Sequence, residues 1–462
     1  MSKNQGYTGY KIMVILIAIT LASFLPPFFT SMINIAIPVI GKDFSVPAEI
    51  LAMLSTAYLI SSVVFLIPAA RFADIFGLKK VFVWGLCIAA FAVLIAPFST
   101  SIEMLIACQI ITGLGFACVI SNAIALLSIV YPSSKRGSAI GVAVAGVYLG
   151  LTAGPLIGGV LTSILGWKSI YVISLLPCLA TAIMVQLFIR NELFSRSAQL
   201  FDLRGSVLYC ALILCLMFGL INLPNPFAIL SLILSVIFLL VFIRFEAKIQ
   251  YPVFPIHLFF ENRVFARANL TTMINYGATF EVNFFVSMYL QIIGDLTPLE
   301  AGIVMSSMPL VQMLFSPIAG KLSDTIDGRF LMTVGLVVTG IGMIMFEFIG
   351  TEYNQATITF SLALIGFGIA LFGAPNTNLV LGSVAMSDNV SANSILATMR
   401  QMGMVFSMAA ATCCIIFFTG EGAILSSNPE NFVAAMHLAF ALGAILSFVG
   451  SGVGWTAIQE KK

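Results

Sequence analysis

Nineteen residues of this 462-residue chain are acidic, and eighteen of them fall in polar loops or near the ends of apolar stretches. Glu281 is the exception. It stands in the middle of a long apolar run, with Asn275 and Asn283 nearby. A carboxyl group at mid-membrane depth costs roughly 2.5–3.5 kcal/mol when ionised, so one that is kept there is a functional candidate by default. Such a group can bind a proton on one side and release it on the other. It can also pair with a cationic substrate in a water-filled cavity. The plainer reading is a protonated Glu hydrogen-bonded to a neighbouring helix. Asn34, Gln109, Asn122, Gln291 and Gln312 are further polar points inside apolar runs. Each either lines a substrate cavity or hydrogen-bonds between helices.

Other chemistry is not on offer. Two histidines, His257 and His437, are too few for a His-based metal centre. The eight cysteines all fall inside apolar runs and form no CxxC pair, as small packing residues do. There is no G-x-x-x-x-G-K-[ST] phosphate loop and no nucleophile–base constellation. An enzyme is therefore not expected, nor a metal or any other cofactor, and an ion gradient is left as the driving force.

The elements that must position these residues are helices. Sixty per cent of the chain is apolar and 9% is charged, with a mean hydropathy of +1.09. Soluble domains carry about 25% charged residues, so a soluble enzyme is excluded. A net charge of +2 leaves no polybasic surface for nucleic acid. Fourteen apolar stretches appear, at roughly 12–36, 50–70, 81–98, 104–130, 138–164, 169–189, 206–222, 227–245, 267–293, 301–319, 330–349, 357–379, 393–418 and 432–456. Each is about the 20 residues that cross a bilayer as a helix. With the N-terminus in the cytoplasm, 18 of the 21 Lys and Arg lie on the inner side, Lys42 and Lys168 on the outer, and Arg400 within a span. That asymmetry predicts cytoplasmic N- and C-termini and supports the span parity. The first span is too long for a cleavable signal core. Pro26-Pro27 is expected to break or kink it.

The loop after the second span reads Ala70-Arg-Phe-Ala-Asp74-Ile-Phe-Gly77-Leu-Lys79-Lys80, and the loop after the tenth reads Gly320-Lys321-Leu-Ser-Asp324-Thr-Ile-Asp327-Gly328-Arg329. The shared order of small, basic, Asp, Gly and basic residues marks two six-span blocks with a hairpin inserted between them. The expected units are residues 1–190, 191–264 and 265–462. Parallel six-span repeats are how one large transporter class is built, with substrate at the midplane.

The first of these loops resembles the signature loop of the major facilitator superfamily, G-x-L-A-D-R-x-G-R-K. Gly141, Gly150, Gly154-Pro155 and Gly158-Gly159 reproduce the superfamily's antiporter motif, g-x8-G-x3-G-P-x2-G-G. Trp167 to Tyr171 with Pro177, Phe201-Asp202-Leu-Arg-Gly205, Pro252 to Phe265, Tyr289-Leu-Gln291, Pro298 to Gly302 and Thr398 to Gly403 extend the likeness over nearly the whole chain. They point to the fourteen-span drug:proton antiporter branch. The resemblance implies an all-α polytopic membrane protein with two six-helix bundles plus an inserted two-helix hairpin. It implies that the glycine–proline helix is a hinge and seal for the outside. It further implies that Asp74, Gly77 and Lys79, with Asp324 and Arg329 of the second loop and Arg400, latch the cytoplasmic side when the outside is open. Two positions depart from the pattern. Phe29 stands where the branch carries Asp, and Gln109 where it carries Arg. Loss of both avoids an uncompensated buried charge and leaves Glu281 as the candidate for proton coupling.

The function expected on these grounds is export of an amphipathic or cationic drug-like small molecule from the cell in exchange for protons. The partners are then substrate, protons and the lipid bilayer, and the protein acts as a monomer. A proton-independent or dedicated-metabolite exporter of the same fold is the first alternative, and a non-transporting receptor or scaffold the second.

Overall fold

Hydrocarbon offers no hydrogen bonds to a peptide backbone, so each apolar run must close its own. A computed structural model describes residues 9–46, 48–131, 133–189, 192, 202–222, 225–249, 254, 257–323, 325–384, 389–419 and 429–456. Among them every regular element is helical. The first six spans are α1 (Gly9–Phe44), α2 (Ala48–Phe76), α3 (Leu78–Ile95), α4 (Ile102–Val130), α5 (Ser133–Leu165) and α6 (Lys168–Phe188). The hairpin is α7 (Leu203–Ile221) and α8 (Pro226–Glu246). A short α9 (His257–Glu261) leads to α10 (Arg263–Thr279) and α11 (Glu281–Ile292). The rest is α12 (Pro298–Met305), α13 (Ser307–Leu322), α14 (Gly328–Ile344), α15 (Gln355–Gly382), α16 (Asn389–Thr419) and α17 (Pro429–Trp455).

Side-chain caps satisfy the free N–H groups at many helix starts. Asp202 Oδ1 accepts from Gly205 N at 2.8 Å to open α7, and Asn262 Oδ1 accepts from Phe265 N at 3.0 Å to open α10. Thr297 and Glu300 form a reciprocal capping box on α12.

Among the described residues, thirteen segments are long and apolar enough to cross a membrane, with α12 and α13 forming one of them. The ninth expected stretch is not on that list because it is divided. It runs as α10 and α11, of 17 and 12 residues, with the break at Phe280. The cause lies on α16. Glu281 N–H donates to Ser407 Oγ at 2.9 Å, so it leaves the helical ladder. The close approach of α16 is made by glycine, since a Cβ on Gly403 would overlap the Met273 carbonyl and stand 2.9 Å from Gly277 N. Of the two expectations for the first span, a break or a kink, the prolines do not break it. α1 continues through Pro26, Pro27 and Pro38, and Thr30 Oγ1 lies 3.1 Å from the carbonyls of both Pro26 and Pro27.

Within the first six helices α1 packs on α5 and α6, and α4 on α2 and α3. Within the last, α14 packs on α15 and α17, and α10 on α16 and α17. The two groups meet where α5 touches α12 and α13, α2 touches α16, and α1 touches α11. The hairpin lies on the flank of that meeting. Tyr209 Oη of α7 donates to Val63 O at 3.0 Å, and Cys413 Sγ of α16 lies 3.7 Å from Leu220 O.

Gly403→Val is expected to lower the thermal midpoint of the detergent-solubilised protein by several degrees, on the order of 1–3 kcal/mol of overpacking. Gly452, with nothing near the position of a Cβ, should accept valine with no change. Equal midpoints for the two variants, read by scanning fluorimetry, would contradict this account of the α10–α16 contact.

Candidate functional site

The glycines of α5 lie against α1 in register. A Cβ on Gly146 would stand 2.8 Å from Thr20 O, on Gly150 2.6 Å from Phe24 O, on Gly154 3.0 Å from Phe28 O, and on Gly158 2.8 Å from Met32 Cα. No real side chain fits at such distances, so the two backbones touch along four turns. Two other positions of the motif face across the molecule. A Cβ on Gly159 would be 2.6 Å from Pro298 O, and one on Gly302 would overlap the Pro155 carbonyl. Leu299 N–H donates to Ser163 Oγ at 3.1 Å and Ser306 Oγ lies 3.5 Å from Thr152 O, completing the α5–α12 contact. Beside it Ser287 Oγ donates to Asn34 O at 2.8 Å and Gln291 Nε2 to Ile35 O at 3.1 Å, tying α11 to α1. All of these contacts gather toward the end that carries the α1–α2, α5–α6 and α11–α12 turns. The two halves are closed against each other there.

Below the seam lies a small pocket lined by Phe29, Asn34, Ser55, Tyr58, Gln109 and Phe280 among others, with about 10 Å³ open to the centre of a water molecule. That is about enough for one water. The two departures from the family pattern, Phe29 and Gln109, thus line the same pocket. Gln109 Nε2 donates to Tyr171 Oη at 3.4 Å, while its buried Oε1 has no partner. Phe29 meets Tyr171 edge-on at 5.5 Å. Asn34 Oδ1 accepts from Ser55 Oγ at 2.8 Å.

Glu281 is 2% exposed at the start of α11. Among the described residues its carboxyl group faces no cation. Asn275, on the preceding helix, is fully buried and both its amide atoms lack partners. Two of the expected cavity residues hydrogen-bond within their own surroundings instead. Asn122 Nδ2 donates to Cys118 O at 2.8 Å, and Gln291 bridges α11 to α1 as described. Gln312 is buried on α13 and Asn283 half-buried on α11.

At the other end of the bundle the signature loop is short and sharp. Gly77 has φ +102°, a left-handed conformation that glycine tolerates. Glu192, from beyond α6, caps the start of α3. Its Oε1 accepts from Lys79 N at 2.8 Å and Lys80 N at 3.3 Å, over the face of Gly77. Nothing in the spacing of Glu192 pointed to this; only its acidity near the end of the first block was a signal. In the second loop Arg329 pairs with Asp327, which also caps α14 by accepting from Arg329 N at 3.0 Å. That hydrogen bonding holds the Asp327 carboxyl below the usual carboxylate range. Gly141 is part of α5, while the Asp74 side chain and Asp324 lie outside the described residues.

Arg400 lies one residue before Gln401 on α16. Gln401 Nε2 donates to Ser62 Oγ at 3.3 Å, which sets this part of α16 beside Ser62. Ser62 lies twelve residues before Asp74 on α2, about 18 Å at 1.5 Å per residue. Arg400 therefore stands deep in the bundle, with its guanidinium 5.2 Å from the Tyr276 ring centre.

Two helical groups, closed on each other at one end by backbone contact and with polar residues at mid-depth, are the architecture of a membrane transporter. The chain belongs to the Major Facilitator Superfamily, whose family model matches residues 19–259 and 268–461. It is 24% identical to the riboflavin transporter RibZ of Clostridioides difficile (strain 630), over 95% of each chain. It is 26% identical to the multidrug resistance protein Stp of Mycobacterium tuberculosis (strain CDC 1551 / Oshkosh), over 85% of this chain and 74% of that one. Among solved structures, a bacterial homologue of the human lysosomal transporter Spinster, in an inward-facing and unoccupied conformation, shares its fold with a TM-score of 0.69 at 16% identity over 98% of both chains.

Gly159→Leu would set a side chain on the Pro298 carbonyl and prop the seam open. In a variant lacking the eight native cysteines, a cysteine at Asn34 should then react several-fold faster with an impermeant maleimide added outside intact cells. An unchanged rate would contradict the seal.

Proposed function

We propose that this protein exports amphipathic, drug-like small molecules across the cell membrane in exchange for protons, by alternating access. Glu281 is the coupling group on this reading. The observation that carries it is the carboxyl of Glu281, 2% exposed and facing no cation among the described residues, at the point where α10 and α11 meet α16. A group so placed sees water from one side or the other as the halves rock, and differential contact between two states is what alternating access requires. The seam along Gly150, Gly154, Pro155, Gly158 and Gly159 closes the outside, with Gly141 part of the same helix. Asp74, Gly77 and Lys79, with Asp324 and Arg329, form the latch of the opposite state, and Glu192 braces it. Asn34, Gln109, Asn275, Asn283 and Gln312 line the substrate path. Both termini lie in the cytoplasm, α10 and α11 together make the fourteenth span, residues 1–190, 191–264 and 265–462 are the three units, and the protein works as a monomer.

A second reading is a dedicated exporter of one metabolite, without proton coupling. Phe29 and Gln109 in one uncharged pocket favour it, as does the likeness to a riboflavin transporter.

Proteoliposomes holding a pH-sensitive dye separate the two. A panel of rhodamine 6G, ethidium, fluorescein and riboflavin is added in turn. Proton movement on addition of several of these, reduced to background in Glu281→Gln, is the expected result. Transport of a single compound with no proton movement supports the second reading, and full proton movement in Glu281→Gln removes this residue from the coupling role.

A further inference from the structure

Arg400 is a cation in the interior of the bundle that the seam, the latch and the coupling group leave unused. It is half-buried, and its Nε is shut off from solvent with no hydrogen-bond partner. Its guanidinium lies over the face of Tyr276. Stacking of that kind occupies the flat face of a guanidinium and leaves its N–H edge free. No carboxylate among the described residues is bonded to that edge. A neutral side chain such as Gln or Leu would pack against Tyr276 without exposing five donors to an apolar surround, so packing alone does not account for arginine here.

The neighbours of Arg400 are of one chemical kind. Tyr148 of α5, a residue of the first half, lies within hydrogen-bonding reach of Ser316 of α13 and within electrostatic reach of Arg400 and Tyr276. Its hydroxyl lies 3.3 Å from where a Cβ on Gly373 of α15 would stand, so that glycine leaves room for the phenol. Ser316 Oγ is buried, and beyond the Tyr148 hydroxyl it has no hydrogen-bond partner among the described residues. Helices from both halves therefore bring a guanidinium, two phenols and a serine hydroxyl to one place. All of them are donors. The acid on the same wall, Glu281, is five residues beyond Tyr276 and past the break at Phe280, ~8 Å further along the helix direction.

We propose that Arg400, with Tyr276, Tyr148 and Ser316, binds an oxyanion, a carboxylate or phosphate group, carried by the transported molecule. The guanidinium edge takes the two oxygens side by side, and the hydroxyls complete the shell. Because Tyr148 comes from one half and Arg400 from the other, a bound oxyanion holds the halves together at mid-depth and is released when they part. The assignment rests on the transport reading above and adds to its substrate class molecules with an acidic group.

The test is equilibrium binding to the full chain in phosphatidylcholine nanodiscs, with no gradient, by fluorescence anisotropy. Fluorescein and rhodamine 6G share a xanthene core and differ in charge. Wild type is expected to bind fluorescein. Arg400→Gln should weaken that binding at least about tenfold, the loss typical of a charge-assisted pair, and change rhodamine 6G binding less than about threefold. Arg400→Lys, which keeps the charge and loses the paired edge, should fall between. Unchanged fluorescein binding in Arg400→Gln overturns the proposal, and so does a wild type that binds no fluorescein. Phosphatidylglycerol added to the discs separates a lipid headgroup from a substrate group. If it blocks fluorescein through Arg400, the site belongs to lipid and the substrate assignment fails. Proton coupling does not enter this measurement, so its failure leaves the result intact.

Discussion

Lipid tails are as apolar as leucine, so helices in a bilayer gain little by burying leucine against each other. What holds them is close contact of backbone, and that needs residues without side chains. In this transporter the contact runs along α5. Four glycines at intervals of four seat it on α1, while Gly159 and the Pro155 carbonyl reach the opposite half at α12. One helix is thus fixed to its own half by one stripe and pressed on the other half by the adjacent positions. The first contact keeps α5 part of a rigid group. The second can open without disturbing it, because it consists of a few carbonyl contacts and the hydrogen bond from Leu299 N–H to Ser163 Oγ.

The scarcity of charge acts as a second constraint. With Phe29 and Gln109 in the pocket of the first half, the interior keeps an acid, Glu281, and a base, Arg400, both contributed by the second half. Neither neutralises the other as a direct ion pair. Both sit on the α10–α16 crossing that Gly277 and Gly403 make possible. The same crossing supplies Ser407, which takes Glu281 N–H out of the helix ladder and divides the span. The break, the acid and the base are consequences of one close approach.

Much of this was legible in the residues. Span positions followed from hydropathy alone, because in hydrocarbon an apolar run has one available structure. The glycine spacing of α5 announced a bare face, though not that α1 is its partner along Gly146 to Gly158 and that, within the motif, Gly159 and the Pro155 carbonyl meet the other half. Three features were not legible. The division of the ninth span depends on a serine 126 residues later, which no local pattern reveals. The place of Arg400 beside α2 follows from the contact of Gln401 with Ser62, 339 residues apart, which no local pattern reveals. Glu192 caps α3 from 113 residues away, a contact that only tertiary structure creates. α1 runs through Pro26 and Pro27 without a break, one of the two outcomes the sequence left open.

The central claim is that the α5–α12 seam is a gate and not a fixed weld. Spin labels at Leu165 and Ile303, both lipid-facing and close to the seam without forming it, report the separation of the two helices by double electron–electron resonance. A distance that shifts between two populations as pH or substrate is varied, the shorter one dominant without substrate, is the predicted result. A single unchanging distance under all conditions would contradict the account.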